Sequence, residues 1–303
     1  MATPAPSAPR VIAQRKPRDD EIDVHGLTHV GRTRDSNQDH FLISALRKRV
    51  DVVGTSLPDG AAAVTGGERF AFLAMVADGV GGGSRGEEAS RIAVERITSY
   101  VAHSMRCYYR ADTPDDDAFG EALAEAATRC HAAILREADS DPDRRGMATT
   151  LTLWLGVWPY AYLLQVGDSR CYVLREGELS QLSRDQTMAQ ELIDSGVITA
   201  ANAAGTRWAH TLSSSIGGSQ NAPVVTRLEQ GWGQVGLLCS DGLTRHVSDE
   251  RIGERLRTMT SARQVCEALL QDALEDGGTD NITIVVGRTV RRDIEPAAAP
   301  PPP

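Results

Sequence analysis

The stretch Phe70-Ala71-Phe72-Leu73-Ala74-Met75-Val76-Ala77-Asp78-Gly79-Val80-Gly81-Gly82-Gly83-Ser84 sets the terms for the rest of the chain. An apolar run ends abruptly in a carboxylate, and a glycine-rich turn and a helix start follow it. The run has the length of a buried strand. Glycines after the carboxylate let backbone carbonyls and amides approach a ligand with no Cβ in the way. Ser84 and Glu87 have capping-box spacing for the helix that begins there. Asp78 therefore sits at the mouth of a sheet, beside a permissive backbone. Asp-Gly also serves as ordinary turn punctuation, and on this stretch alone both readings stand.

The chain repeats the arrangement. Val235–Cys239 is a second short apolar strand, followed by Ser240-Asp241-Gly242-Leu243. Asp280 stands at the opposite polarity, after Gly277 and Gly278 and just before the apolar strand Ile282–Val286. Asp39 lies in a polar loop that enters a strand at Phe41. If these strand ends lie together, four carboxylates converge, and crowded like charges are costly unless a cation neutralises them. The candidate ligands are all oxygens, with no His/Cys cluster of the kind zinc prefers. Hard oxygen donors suit Mg²⁺ or Mn²⁺. Two such ions about 3.5–4 Å apart can activate a bridging water and clamp a phosphoryl group. Arg34, five residues before Asp39, offers a bidentate fork for a phosphate oxygen.

Composition narrows the alternatives. The 303 residues are enough for one large domain or two small ones. A net charge of −9 argues against nucleic acid or an anionic membrane as the main partner. No apolar run reaches the roughly 20 residues that span a bilayer, and the N-terminus lacks a signal-peptide core. Cys107, Cys130, Cys171, Cys239 and Cys266 are scattered without a CxxC, which fits reduced thiols in a cytoplasmic protein. Residues 1–20 are expected to be a disordered tail, and 291–303 an Ala/Pro-rich one.

Between the tails, 21–290 shows no linker and no repeat. Strands are expected at Ile22–Val30, Phe41–Ile43, Phe70–Ala77, Gly146–Val157, Tyr160–Val166, Arg170–Leu174, Val224–Leu228, Val235–Cys239 and Ile282–Val286. A hairpin connection is expected at 51–68, and a turn at Glu176-Gly177. Ser84 to Met105 carries Ala89, Ala93, Ile97, Tyr100, Val101 and Ser104 on one helical face. Asp117 to Ala138 carries Leu123, Ala127, Cys130 and Ile134 on another, with His131 beside that stripe as a core histidine. Further helices are expected at Asp185–Ser195 and, with Ser261 and Gln264 at its start, to Leu274; residues 199–222 read as irregular. Runs of strands with helix pairs, rather than strict alternation, point to α+β layers.

Six segments in this order resemble the metal-dependent serine/threonine protein phosphatases of type 2C, in particular their compact bacterial branch. They are Gly31-x-x-Arg34-x-x-Asn37-Gln38-Asp39, Val76-Ala77-Asp78-Gly79-Val80-Gly81-Gly82, Gly146-Met147-Ala148-Thr149-Thr150, Gly167-Asp168-Ser169-Arg170, Ser240-Asp241-Gly242-Leu243 and Gly278-Thr279-Asp280-Asn281-Ile282-Thr283. The resemblance covers about residues 22–288. It implies a four-layer α/β/β/α sandwich, two antiparallel sheets flanked by helix pairs, and hydrolysis of phosphoserine and phosphothreonine by a metal-bridging water. It also implies roles. Asp78 bridges two Mn²⁺ or Mg²⁺ ions, the carbonyl of Gly79 binds the second, and Asp241 and Asp280 bind the first. Asp39 acts mainly through metal-bound waters, Gln38 and Asn281 support the site from nearby, and Arg34 holds the substrate phosphate. A substrate flap falls at about 187–222, with Arg207 and His210. Implied partners are phosphorylated proteins, among them a cognate Ser/Thr protein kinase and its substrates; a monomer is expected.

Three positions depart from the family pattern. Gln38 stands where many members have Glu, which removes a negative charge near the metals. Val80 stands where many eukaryotic members have a histidine proposed as the leaving-group acid. The acid of the family's additional metal site falls at Arg145 here, leaving Asp143 as the candidate for a third ion. A catalytically weak, phosphoprotein-binding pseudophosphatase is the alternative function, and the complete aspartate set argues against it. A structural Ca²⁺ protein is the weaker rival, since no EF-hand loop is present.

Overall fold

The apolar run Phe70–Ala77 is buried on both faces, and that determines the architecture. Ala71, Leu73, Met75 and Ala77 point into one core, whereas Phe72, Ala74 and Val76 point into another. Side chains alternate across a strand, so a strand with no polar face requires a layer on each side. The computed structural model describes residues 15–47, 67, 69–82, 84–104, 116–203 and 206–292. Cys107 and nearly all of the connection expected at 51–68 lie outside the described residues.

A 3-10 turn at Asp19–Glu21 leads into β1 (Ile22–His29), β2 (His40–Arg47), β3 (Arg69–Ala77) and the two-residue β4 (Gly79–Val80). Helices α1 (Ser84–Ser104) and α2 (Asp116–Ser140) follow. Then come β5 (Ala148–Thr149), β6 (Leu151–Val157), β7 (Tyr160–Val166), β8 (Arg170–Arg175) and β9 (Glu178–Gln181). Next are α3 (Met188–Asp194), α4 (Ala200–Ala203), β10 (Val224–Glu229) and β11 (Val235–Cys239). The chain continues through α5 (Asp241–Thr244), α6 (Asp249–Arg257) and α7 (Ala262–Glu275) to β12 (Ile282–Thr289).

Two antiparallel sheets of five strands run in the orders β1-β12-β11-β8-β9 and β10-β7-β6-β3-β2. The stripes on α1 and α2 cover the second sheet: Ala89, Ala93, Ile97, Val101, Leu123, Ala127, Cys130 and Ile134 share a core with Leu73, Met75 and Leu153. α6 and α7 cover the first sheet through Ile252, Leu256, Val265, Cys266 and Leu269. Ala74, Val76, Leu163, Cys171, Leu238 and Val285 join the two sheets face to face. The result is the four-layer α/β/β/α sandwich. Truncating a fully buried leucine such as Leu73 in such a core costs about 2–5 kcal/mol.

Several boundaries differ from expectation. The tail expected to be disordered through residue 20 is corrected at 15–20. There Arg15 pairs with the buried Glu21 at 2.5 Å, and Pro17 is itself buried. The strand expected over Gly146–Val157 breaks at Thr150, because that residue turns to serve Asp78: its N–H donates to the Asp78 carbonyl at 2.9 Å. The third helix begins at Met188 rather than Asp185, where Thr187 Oγ1 accepts the Gln190 N–H. α6 was not expected from the sequence; Ser248 caps it, accepting the Arg251 N–H at 3.3 Å. His131 holds a structural contact, accepting the Gly217 N–H on Nδ1 at 3.0 Å.

Candidate metal centre

Register brings the carboxylates to one end of the sandwich. His40 pairs with Ala77, so Asp39 and Asp78 flank the same rung of the second sheet. Cys239 pairs with Ile284, so Asp241 and Asp280 leave the first sheet at the same end. Stacking the sheets joins the two pairs. Asp39 reaches across: its Oδ2 accepts the Thr283 hydroxyl of β12 at 2.7 Å. Asp78, Asp168, Asp241 and Asp280 line a cleft of about 1010 Å³ together with Arg34, Gln38, Gly79, Val80, His210, Arg245 and Asn281.

The backbone around Asp78 is clamped. Its N–H donates to Thr150 Oγ1 at 3.0 Å, and its carbonyl accepts from Thr150 N and from Thr149 Oγ1. β4 then pairs with β5, Gly79 opposite Thr149 and Val80 opposite Ala148. Gly79 has no room for a side chain: a Cβ there would lie 2.3 Å from the Gly86 carbonyl. The glycine is thus required by close backbone approach.

The electrostatics are those of a cation site. Burial pushes the Asp39 carboxyl up to about 6, with the charge of Asp241 adding to the rise. Burial raises Asp78 well above the usual carboxylate range, and Asp39, Asp241, Asp168 and Asp280 raise it further. Asp168 and Asp241 are raised too, chiefly by burial. Asp39 Oδ1 is buried without a hydrogen-bond partner. An orphaned carboxylate oxygen facing other carboxylates fits a hard divalent ion, which would neutralise the cluster. Among the described residues, no three acidic, histidine or cysteine side chains already close around one point. Two arginines hold the outer carboxylates instead. Arg34 grips both oxygens of Asp280 at 2.8 Å, and Arg245 bonds both Asp241 and Asp280.

Of the residues singled out from sequence, Arg34, Gln38, Asp78, Gly79, His210, Asp241, Asp280 and Asn281 line the cleft. Asp39 lies behind it, buried. Gln38 Nε2 donates to the Gly81 carbonyl at 3.2 Å, holding the glycine loop. Asp143 does not join them. It is exposed on the short turn Pro142–Arg144, where its backbone N–H is tied to Asp141 Oδ1. Arg207 is turned onto the Trp208 ring, 4.4 Å from its centroid, and does not line the cleft. Sequence reasoning missed Arg245, whose signal was its spacing four residues after Asp241. It also gave no role to Asp168, whose signal was a Gly-Asp-Ser break between two apolar strands.

The architecture is a four-layer sandwich with a cleft at one end lined by carboxylates, whose oxygens suit a hard cation. A family model for Protein phosphatase 2C matches residues 37–280, and the chain belongs to that family. The serine/threonine protein phosphatase PstP of Mycobacterium tuberculosis (strain ATCC 25618 / H37Rv) is 37% identical over 226 residues, 74% of this chain. The match takes in 41% of that protein, so the chain spans less than half of this relative's length. The serine/threonine phosphatase stp of Listeria monocytogenes serovar 1/2a is 29% identical, with 73% of this chain and 85% of that protein covered. Among solved structures, the PstP catalytic domain in complex with two manganese ions superposes with a TM-score of 0.68 at 31% identity. It covers 89% of this chain and 99% of that one.

Proposed function

We propose that this chain is a protein serine/threonine phosphatase that hydrolyses phosphoserine and phosphothreonine with Mn²⁺ or Mg²⁺ as cofactor. The observation that carries the reading is the meeting of Asp78, Asp241 and Asp280 at one cleft, with Asp39 directly behind it carrying a buried, unpaired oxygen and the Arg34 fork at the rim. Asp78 and the Gly79 carbonyl would hold ions from the β3 side, and Asp241 and Asp280 from the β11 and β12 side, with Asp39 behind them. Bound there, the ions supply positive charge to the phosphoryl oxygens and lower the pKa of water. Arg34 passes from Asp280 to the phosphate, orienting it through a two-point contact. Gln38 and Asn281 keep the two acid-bearing loops in register. Val80 offers no proton, so the leaving alkoxide takes its proton from water.

Attack is direct, without a phospho-enzyme. The described cysteines are buried thiols held protonated by burial, with Cys130, Cys239 and Cys266 each pushed up to about 12. Such thiols also suit a reducing, cytoplasmic compartment. A monomer acting on phosphoproteins, including a cognate Ser/Thr kinase and its substrates, completes the proposal. The test is release of phosphate from a phosphothreonine peptide with Mn²⁺, with chelator, and with Asp78→Ala. Hydrolysis that survives the chelator or the substitution would refute it. Peptide binding without turnover would favour the regulatory, binding-only alternative.

A further inference from the structure

We propose that Arg245 is a built-in counter-cation of the metal centre, competing with a divalent ion for Asp241 and Asp280 and so setting how tightly that ion is held. The inference rests on the metal-centre reading of the cleft. Arg245 caps the C-terminal end of α5, and its backbone N–H donates to the Asp241 carbonyl at 2.9 Å. One helical turn after Asp241, its side chain lies alongside that residue. Nη2 donates to Asp241 Oδ2, and Nη1 donates to Asp280 Oδ2 at 2.7 Å. One guanidinium therefore bridges two carboxylates that come from different strand ends. Its charge also acts on the buried Asp168.

The bridge uses the oxygens a hard cation needs. A guanidinium and a divalent ion within a few ångströms repel strongly in a partly buried site, so an ion at Asp241 and Asp280 displaces Arg245. The side chain is 29% exposed, enough for its long stem to swing into solvent, yet covered enough for the two charge-assisted bonds to matter. The halves of the centre are unequal. Among the described residues no arginine, lysine or histidine forms an ion pair with Asp78 or Asp39, whereas Asp280 is held by both Arg34 and Arg245. The ion at Asp241 and Asp280 is consequently the weaker one, and Arg245, which unlike Arg34 pairs with both carboxylates, is the main reason.

The test is calorimetric titration of Mn²⁺ into the metal-free full chain, wild type against Arg245→Met, with melting temperatures taken before and after saturation. The weaker Mn²⁺ affinity is expected to rise at least tenfold in the variant. The metal-free melting temperature is expected to fall, since Asp241, Asp280 and Asp168 lose a counter-charge, while the metal-saturated value holds, so the Mn²⁺-induced shift grows. Equal or weaker Mn²⁺ binding, or an unchanged shift, would overturn the proposal. If Arg245→Met does not fold, Arg245→Gln carries the same expectations. A wild-type chain that binds no Mn²⁺ would overturn the metal-centre reading itself, a result distinct from failure of the Arg245 role.

Discussion

The side-chain carbonyl of Asn281 accepts the backbone N–H of Gln38 at 2.9 Å. The same side chain donates from Nδ2 to the carbonyls of Val30 at 3.0 Å and Ser36 at 2.9 Å. One buried amide thus ties the loop carrying Arg34 and Asp39 to the loop carrying Asp280. Asn281→Leu keeps the bulk and removes all three bonds. Buried polar groups left unpaired cost about 1–3 kcal/mol each. The expected loss is about 3 kcal/mol in urea unfolding, accompanied by weaker Mn²⁺ binding. A variant with wild-type stability and affinity would mean the tie is incidental.

Arg34 meets Asp280 through two parallel bonds, Nε to Oδ1 and Nη2 to Oδ2, both 2.8 Å. That fork matches the spacing of phosphate oxygens as well as carboxylate oxygens. Arg34→Lys keeps the charge and loses the fork. Hydrogen bonds to charged groups are worth about 1.5–3 kcal/mol, so kcat/KM on a phosphopeptide should fall about 10-fold to 100-fold, with KM rising. Unchanged kinetics for the lysine variant would remove Arg34 from phosphate recognition and leave it as a partner of Asp280 alone.

Gly31 and Gly177 both adopt positive φ, +82° and +85°, but their surroundings differ. A Cβ at Gly31 would lie 2.2 Å from the Asp280 carbonyl, whereas one at Gly177 meets nothing within 4 Å. Gly177→Ala bears backbone strain only, about 1–2 kcal/mol. Gly31→Ala adds a clash with backbone that itself positions a carboxylate. It should cost about 3 kcal/mol or more in thermal unfolding and weaken Mn²⁺ binding, which Gly177→Ala should leave alone. Equal effects of the two substitutions would show that the approach at Gly31 relaxes freely.

The strands and the acids were legible because each marks an abrupt change of character along the chain. Phe70–Ala77 is apolar throughout, as a strand between two layers must be, and Asp78 stands where the burial stops. The same logic found Asp241 and Asp280. α6 was not legible: its buried residues are Ile252, Gly253 and Leu256, set among Asp249, Glu250, Arg251, Glu254, Arg255 and Arg257. So few apolar positions in nine residues do not establish a period. Arg245 was hidden for another reason. Its spacing from Asp241 is local, but its second partner, Asp280, lies 35 residues on and is reached only when β11 pairs with β12. Asp143 and Arg207 show the converse, residues near motifs in sequence that the chain turns away from the cleft.

Those same charges explain what fixes α6 in place. Asp272 on α7 receives two forks from it: Arg255 at 2.6 and 2.7 Å, and Arg251 at 3.0 and 3.1 Å. Bonding to Arg255, then to Arg251, holds the Asp272 carboxyl down at about 2, against some opposition from burial. The unfolded chain titrates this group near 4. The folded pKa is the lower one, so the unfolded chain binds more protons between the two values and stability rises with pH there. The contribution is complete above about pH 4 and is lost as pH falls from 4 toward 2. Partial exposure of both arginines screens it to about 1–2 kcal/mol at neutral pH. Asp272→Asn should therefore lower stability by that amount at pH 7 in urea unfolding. The gap from wild type should close as pH is lowered through 4 to 2. A gap that stayed constant with pH would assign the effect to packing between α6 and α7 rather than to charge.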